Sequence, residues 1–212
     1  EQGVQKLDHI MDYLGKIERF KGAWAHWYDG ELGTAKPFSE KDNGGDIVET
    51  AFLAQGLIAI REYLKDKDDS AQKVAQKADK LWKEINWNHY TNGQNVMYWH
   101  WSPKFNFQQN HPVRGYDECL ITYILAASSP TYPIAPSVYH EGWARSGAIK
   151  TAAKKYDISL VLKHNAKEGE VGPLFWEHYS YLGLSPKGLK DQYADYWEAT
   201  SNHAKINLAY AD

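Results

Sequence analysis

The sequence predicts an all-α chain of helical hairpins, and three observations carry that prediction. Apolar residues recur at helical spacing in several long segments. The connections between those segments are long and rich in Trp, Tyr and His. Strand-like alternation is confined to short stretches inside the connections, so any β structure is expected as small hairpins in loops.

The elements follow in order. Between Val4 and Phe20, the residues Leu7, Ile10, Met11, Leu14 and Ile17 line one face of an amphipathic helix. A Gly-rich loop, Lys21 to Gly45, holds Trp24, His26, Trp27, Tyr28 and Pro37. The second helix is expected from Asp46 to about Leu64, with apolar residues nearly all round it, which predicts burial on most sides. A tight turn, Asp66 to Asp69, leads to a third helix from about Ser70 to Ile85, with Val74, Ala78, Leu81 and Ile85 inward.

Asn86 to Pro112 is irregular, with a short hairpin expected over Val96 to Phe107. A fourth helix is expected from near Asp117 through Cys119 to Ala127, and a weaker one over Val138 to Ile149. Tyr156 to Lys163 reads as one arm of a hairpin closing near Gly169. Helices resume near Phe175 and from Leu189 onward, with Ser185 as N-cap and Pro186 just inside. Loops longer than about 12–15 residues are uncommon unless functional, so the site is sought in Lys21–Gly45 and Asn86–Pro112.

Composition narrows the function. Of 212 residues, 24 are basic and 27 acidic, giving a net charge of −3 with no basic cluster, so nucleic acid is not an expected partner. No apolar run approaches the roughly 18 residues that span a bilayer, and no membrane partner is expected. The N-terminus shows no charged-then-apolar leader, which predicts that a signal peptide is absent or already removed. A lone Cys119 excludes an internal disulfide and a Cys-built zinc site, and on its apolar stretch it reads as core. Without linker or repeat, residues 1–212 read as one domain. Of the nine Trp, fifteen Tyr and six Phe, part must be core, and the rest are candidates to line a site.

Two acidic motifs open helices beside the aromatic loops. In the first, Asp42 precedes Asp46 and Glu49, which are three apart and so about 5–6 Å from each other on one helix face. That spacing is also a capping box, the commoner use of the pattern. In the second, Arg114-Gly115-Tyr116-Asp117-Glu118, Asp117 reads as an N-cap and Glu118 as an acid favoured by the helix dipole. Two such motifs fit glycoside hydrolysis, which needs two carboxyl groups about one glycosidic bond and surfaces that stack sugar rings. Trp24, Trp27, Trp99, Trp101 and Trp143 are the candidate platforms, while Trp82 and Trp197, inside helices, read as core. His26, His100 and His111 lie in the same loops as possible substrate hydrogen-bonding groups, with structural roles the commoner use of any one. His140-Glu141 lacks a second His at helical spacing, and Gly44-Gly45 alone is no phosphate loop, so no metal or cofactor is expected.

These motifs, in this order, resemble the bacterial glycoamylase-like family, which includes endo-β-1,2-glucanases. The carrying stretches run from Phe20-Lys21-Gly22-Ala23-Trp24 through Asp42 to Gln55 and Arg114 to Glu118. They continue with Ser129 to Ile134, Gly142-Trp143-Ala144-Arg145, Gly172 to Phe175, His178 to Leu184 and Asp191 to Trp197. The resemblance implies an (α/α)6 toroid and anomer-inverting hydrolysis of a glucan. Glu118 resembles the general acid, with Asp42, Asp46 and Glu49 lining the catalytic centre, one of them facing Glu118. Trp24, Trp27, His26, Trp99, Trp101, Arg114, Tyr116 and Trp143 are the expected substrate-binding residues. Family members have longer catalytic domains, so this chain is expected to be the middle of a toroid completed by a remainder. The expected substrate is β-1,2-glucan, with an α-glucan or a non-catalytic glycan-binding role as alternatives. By analogy the protein is expected to be periplasmic or extracellular.

Overall fold

The computed structural model describes residues 2–212, a mostly helical chain with three two-stranded antiparallel sheets. Two compact units divide the chain. One holds the chain up to Gly93 with Tyr98–His111 and Ser128–Ile134, and the other holds Gln94–Met97, Pro112–Ala127 and Ala135–Asp212.

In the first unit, α1 (Gln2–Lys16) and α2 (Ile47–Leu64) both pack on α3 (Asp69–Lys83). Met11 of α1 and the stripe Val74, Ala78 and Leu81 of α3 are buried, followed by Ile85. Lys77 Nζ bridges Asp8 and Asp12 at 2.7 and 2.6 Å, an exposed set that contributes little beside the apolar burial. Asp68 caps α3 by accepting from the N–H groups of Ser70 and Ala71. Helix α2 is less enclosed than its composition predicts. Ile47, Val48, Ala51, Ala54, Leu57 and Leu64 are buried, while Phe52, Leu53, Ile58 and Ile60 are half-buried and Ala59 is exposed.

Two small sheets shape the loops of this unit. β1 (Trp27–Tyr28) pairs with β2 (Ala35–Lys36), and β3 (Gly45–Asp46) pairs with β4 (His100–Trp101), setting Asp46 opposite His100. The stretch Val96–Phe107 therefore gives its strand to a distant partner, and folds on itself only at the bridge Ser102–Asn106. Glycine is required at β3 because of this close approach. A Cβ on Gly45 would stand 1.9 Å from the Tyr90 hydroxyl, and one on Gly44 would stand 2.3 Å from Trp101 O.

The second unit contains most of α4 (Leu120–Ser128), with Leu120, Ile121 and Tyr123 buried. In place of one weak helix over Val138–Ile149, a π-helical turn (Val138–Trp143) is followed by a 3-10 turn (Arg145–Gly147). The predicted hairpin is shorter than expected, β5 (Lys154–Lys155) with β6 (Ile158–Ser159). It closes at Tyr156 and Asp157, both in left-handed backbone, not near Gly169. After α5 (Phe175–His178), the last helix, α6, runs Tyr196–Ala211. Its cap is Asp195, which accepts from the N–H groups of Trp197 and Glu198. The Ser185-Pro186 signal does not start it.

At the centre of this unit Glu177, His164 and His203 are all buried. Gly172 sets the protons of both rings. Its N–H donates to His164 Nδ1 at 2.9 Å, which leaves the His164 proton on Nε2, 2.9 Å from Glu177 Oε1. Its carbonyl lies 2.6 Å from His203 Nε2, which must therefore be the donor. His203 Nδ1 lies 3.2 Å from the same Glu177 oxygen. Burial opposes a charge on His203, but the Glu177 carboxylate and the Gly172 carbonyl together favour it, so its pKa is raised.

Candidate active site

The first acidic motif is drawn together at the mouth of α2. Asp46 is fully buried and performs two tasks at once. Its Oδ1 accepts from Val48 and Glu49 N–H, both at 3.0 Å, and its Oδ2 accepts from His26 Nδ1 at 3.0 Å. Its own N–H donates to Trp24 O, which occupies the donor that a reciprocal capping box would give Glu49. Glu49 lies in the first turn of α2 and is exposed.

Asp42, also buried, joins Asp46 through His100, whose Nδ1 lies 3.1 Å from Asp42 Oδ1 and 3.9 Å from Asp46 Oδ2. Two imidazoles thus face two buried carboxylates. The His26 pKa is raised, first by its hydrogen bond to Asp46 and against the desolvation that opposes it. The His111 pKa is lowered by burial and by the neighbouring His100. Asp42, Asp46 and His100 each offer a ligand atom within 4.8 Å of the others, so this is where a cation would find oxygen and nitrogen donors. Sequence spacing alone did not bring out His100 as the partner of Asp42, because the β3–β4 pairing that delivers it is long-range.

Aromatic rings flank this cluster. Phe38 lies 4.4 Å from the His26 ring and is stacked with Trp27 at 6.4 Å. Trp27 and Phe38 are exposed by 54% and 58%, an open apolar face next to the buried carboxylate–imidazole cluster. Trp99 is half-buried and stacked on His111, and Trp101 is half-buried with His89 edge-on at 4.7 Å.

The second acidic motif lies in the other unit. Gly115, in left-handed backbone, donates its N–H to Trp143 O, and a Cβ there would stand 2.5 Å from Ala166 N. Asp117 is buried and its Oδ1 accepts the N–H of Cys119 at 2.9 Å. Glu118 is half-buried, and its carbonyl accepts from Ser180 Oγ, which in turn accepts from Ile121 N–H. Arg114 is exposed.

A family model described as "Putative glucoamylase" matches residues 110–212. Over 99% of its length the chain is 54% identical to a solved endo-β-1,2-glucanase from Chitinophaga pinensis, in complex with sophorotriose and glucose, with a TM-score of 0.96. The chain is thus similar to the glycoamylase-like family. It covers 50% of that glucanase. It is also 38% identical to an exo-β-1,2-glucooligosaccharide sophorohydrolase of Parabacteroides distasonis, of which it covers 31%. A solved β-1,2-glucanase from the same organism superposes with a TM-score of 0.91 at 37% identity, 32% of it covered. The chain thus spans between 31% and 50% of these relatives' length.

Within the chain the expected aromatic platforms separate into buried and exposed rings. Trp24 is buried, with its indole N–H donated to Leu14 O and the Arg19 guanidinium 4.2 Å above its ring. Trp143 is fully buried, stacked on Tyr139 and edge-on to Tyr116. Tyr116 is buried too, with its hydroxyl 2.7 Å from that of Tyr181. Trp24 and Trp143 are thus packed inside the protein, which corrects the expectation that they are open sugar-stacking platforms. Trp197 corrects it in the other direction. Predicted as core, it is 46% exposed, with Lys187 Nζ 4.9 Å above its ring.

Proposed function

We propose that the chain is part of an anomer-inverting glycoside hydrolase acting endo on β-1,2-glucan, built as an (α/α)6 toroid that further polypeptide completes. The observation that carries the reading is the α2 mouth, where buried Asp42 and Asp46 are paired with imidazoles beside exposed Trp27, Phe38 and Glu49. The substrate follows from the relatives, whose names specify β-1,2-linked glucans. The α-glucan reading rests only on the words "putative glucoamylase", carried by the family model and by solved Bacteroides relatives. Export to the periplasm or exterior is part of the proposal, since a polymeric glucan is met there.

Glu118 is the general acid, protonating the leaving glycosidic oxygen. A base among Asp42, Asp46 and Glu49 deprotonates the attacking water, and inversion requires roughly 6.5–9.5 Å between the two carboxyl groups. Asp46 suits that base role least, since both its oxygens are already engaged. It holds the site's geometry, and Asp42 and Glu49 are left as the candidates.

The test is release of reducing ends from β-1,2-glucan, β-1,3-glucan and starch by the intact gene product and by Glu118→Gln. Cleavage of β-1,2-glucan alone, lost on the order of 10³-fold or more in the variant, is expected. Binding without cleavage would support a glycan-binding protein instead.

A further inference from the structure

Glu118 does not stand alone. The acidic oxygens of Asp117 and Glu118, with Cys119 Sγ, lie within 4.8 Å of one another. The backbone around them is fixed on both sides. Tyr116 N–H donates to Lys163 O before the pair, and Ser180 Oγ holds Glu118 O after it. The backbone that carries the two carboxyl groups is thus held on both sides, which limits how far they can separate when both become charged.

Their surroundings differ. Asp117 is 7% exposed, whereas Glu118 is half-buried. The groups facing Asp117 are Glu118 and Cys119 in its own turn and Tyr123 on α4, whose hydroxyl senses Arg114 as well. Burial first, and the Glu118 charge second, push the Asp117 carboxyl up to about 7, against the hydrogen bonds from Cys119. Two carboxyl groups this close titrate as a pair, in two macroscopic steps that belong to neither alone.

We propose that Asp117 is a positioning residue that shares one proton with Glu118, so that the pair remains singly protonated at the pH where Glu118 delivers its proton. This rests on Glu118 being the general acid of the proposed hydrolysis. In each turnover the Glu118 proton passes to the leaving oxygen as the glycosidic C–O bond breaks. Water forms the new bond to the anomeric carbon and gives its proton to the base. Proton exchange with solvent then restores both groups, so Asp117 is not consumed. Asp117 is too enclosed to reach a sugar. Its effect is that full ionisation of the pair is deferred to higher pH.

Asp117→Asn retains a side-chain oxygen for the Cys119 N–H and removes the shared charge. The alkaline limb of kcat/KM against pH on β-1,2-glucan should move down by about one unit or more. A limb that does not move overturns the proposal. A second readout needs no activity. An acid whose folded pKa is raised stabilises the fold most below its unfolded pKa, and that contribution is lost as pH rises through the folded value. The Tm of the wild type minus that of Asp117→Asn should therefore fall between about pH 4 and pH 7, and Glu118→Gln should flatten that fall. A difference that is flat in the wild type contradicts the shared proton. If Glu118→Gln keeps full activity, the acid assignment fails while the Tm comparison still reports on the pair. If Glu118→Gln is inactive and neither Asp117 readout moves, only this inference fails.

Discussion

Asp46 Oδ2 accepts a hydrogen bond from His26 Nδ1 at 3.0 Å while the other oxygen of the same carboxylate caps α2. One side chain thus couples the start of a helix to the ring that opens the aromatic face. A cap needs only an acceptor, whereas a charged partner for imidazole needs the ionised acid.

Substitutions at Asp46 should separate the two tasks. Asp46→Ala should cost about 1–2 kcal/mol of stability through the lost cap. Asp46→Asn should recover most of that in urea denaturation, yet remain low in glucan hydrolysis. Equal recovery of stability and activity in Asn would show that the charge is idle.

The same pair makes a pH prediction. Asp46 raises the His26 pKa, so their mutual stabilisation is complete below the ordinary imidazole value and is lost as pH rises through the folded one. Thermal melts of wild type and His26→Gln should differ more at about pH 5 than at about pH 9. A difference that grows with pH would refute the assignment.

Trp24 and Trp27 should behave as opposites. Trp24 is buried, so Trp24→Ala should destabilise by about 3–5 kcal/mol. Trp27 is exposed beside Phe38, so Trp27→Ala should leave Tm nearly unchanged and weaken glucan binding by about 0.5–1.5 kcal/mol. Isothermal titration with β-1,2-glucooligosaccharides reads the second effect.

The buried Glu177 makes a harsher prediction. Glu177→Ala leaves His203 without its counter-charge and should cost about 3–5 kcal/mol. The raised His203 pKa implies that the pair's contribution is fully present at low pH and fades as pH rises through the folded value. Chemical denaturation across that range measures it.

What the sequence revealed was local. Helices α2 and α3 follow from apolar spacing and from Asp46 and Asp68, whose side chains reach N–H groups two and three residues on. Asp195 and Ser185-Pro186 both carry cap chemistry, and only contacts along the whole chain decide between them. The strands β3 and β4 are two residues each, too short for any periodicity, so the pairing that carries His100 to Asp42 had no local signal. Aromatic content marked the right loops but not the exposed rings, because Trp24 and Trp27 differ in burial and not in neighbourhood. The buried Asp117 was legible as a cap, and its burial was not.

The most direct test is proton NMR of β-1,2-glucan during cleavage by the intact gene product, following the anomeric signal of the newly formed reducing end. With inversion at a β-linkage the α-anomer is expected first, and Glu118→Gln is expected to form almost none of it. First appearance of the β-anomer, or undiminished cleavage by Glu118→Gln, would contradict that expectation.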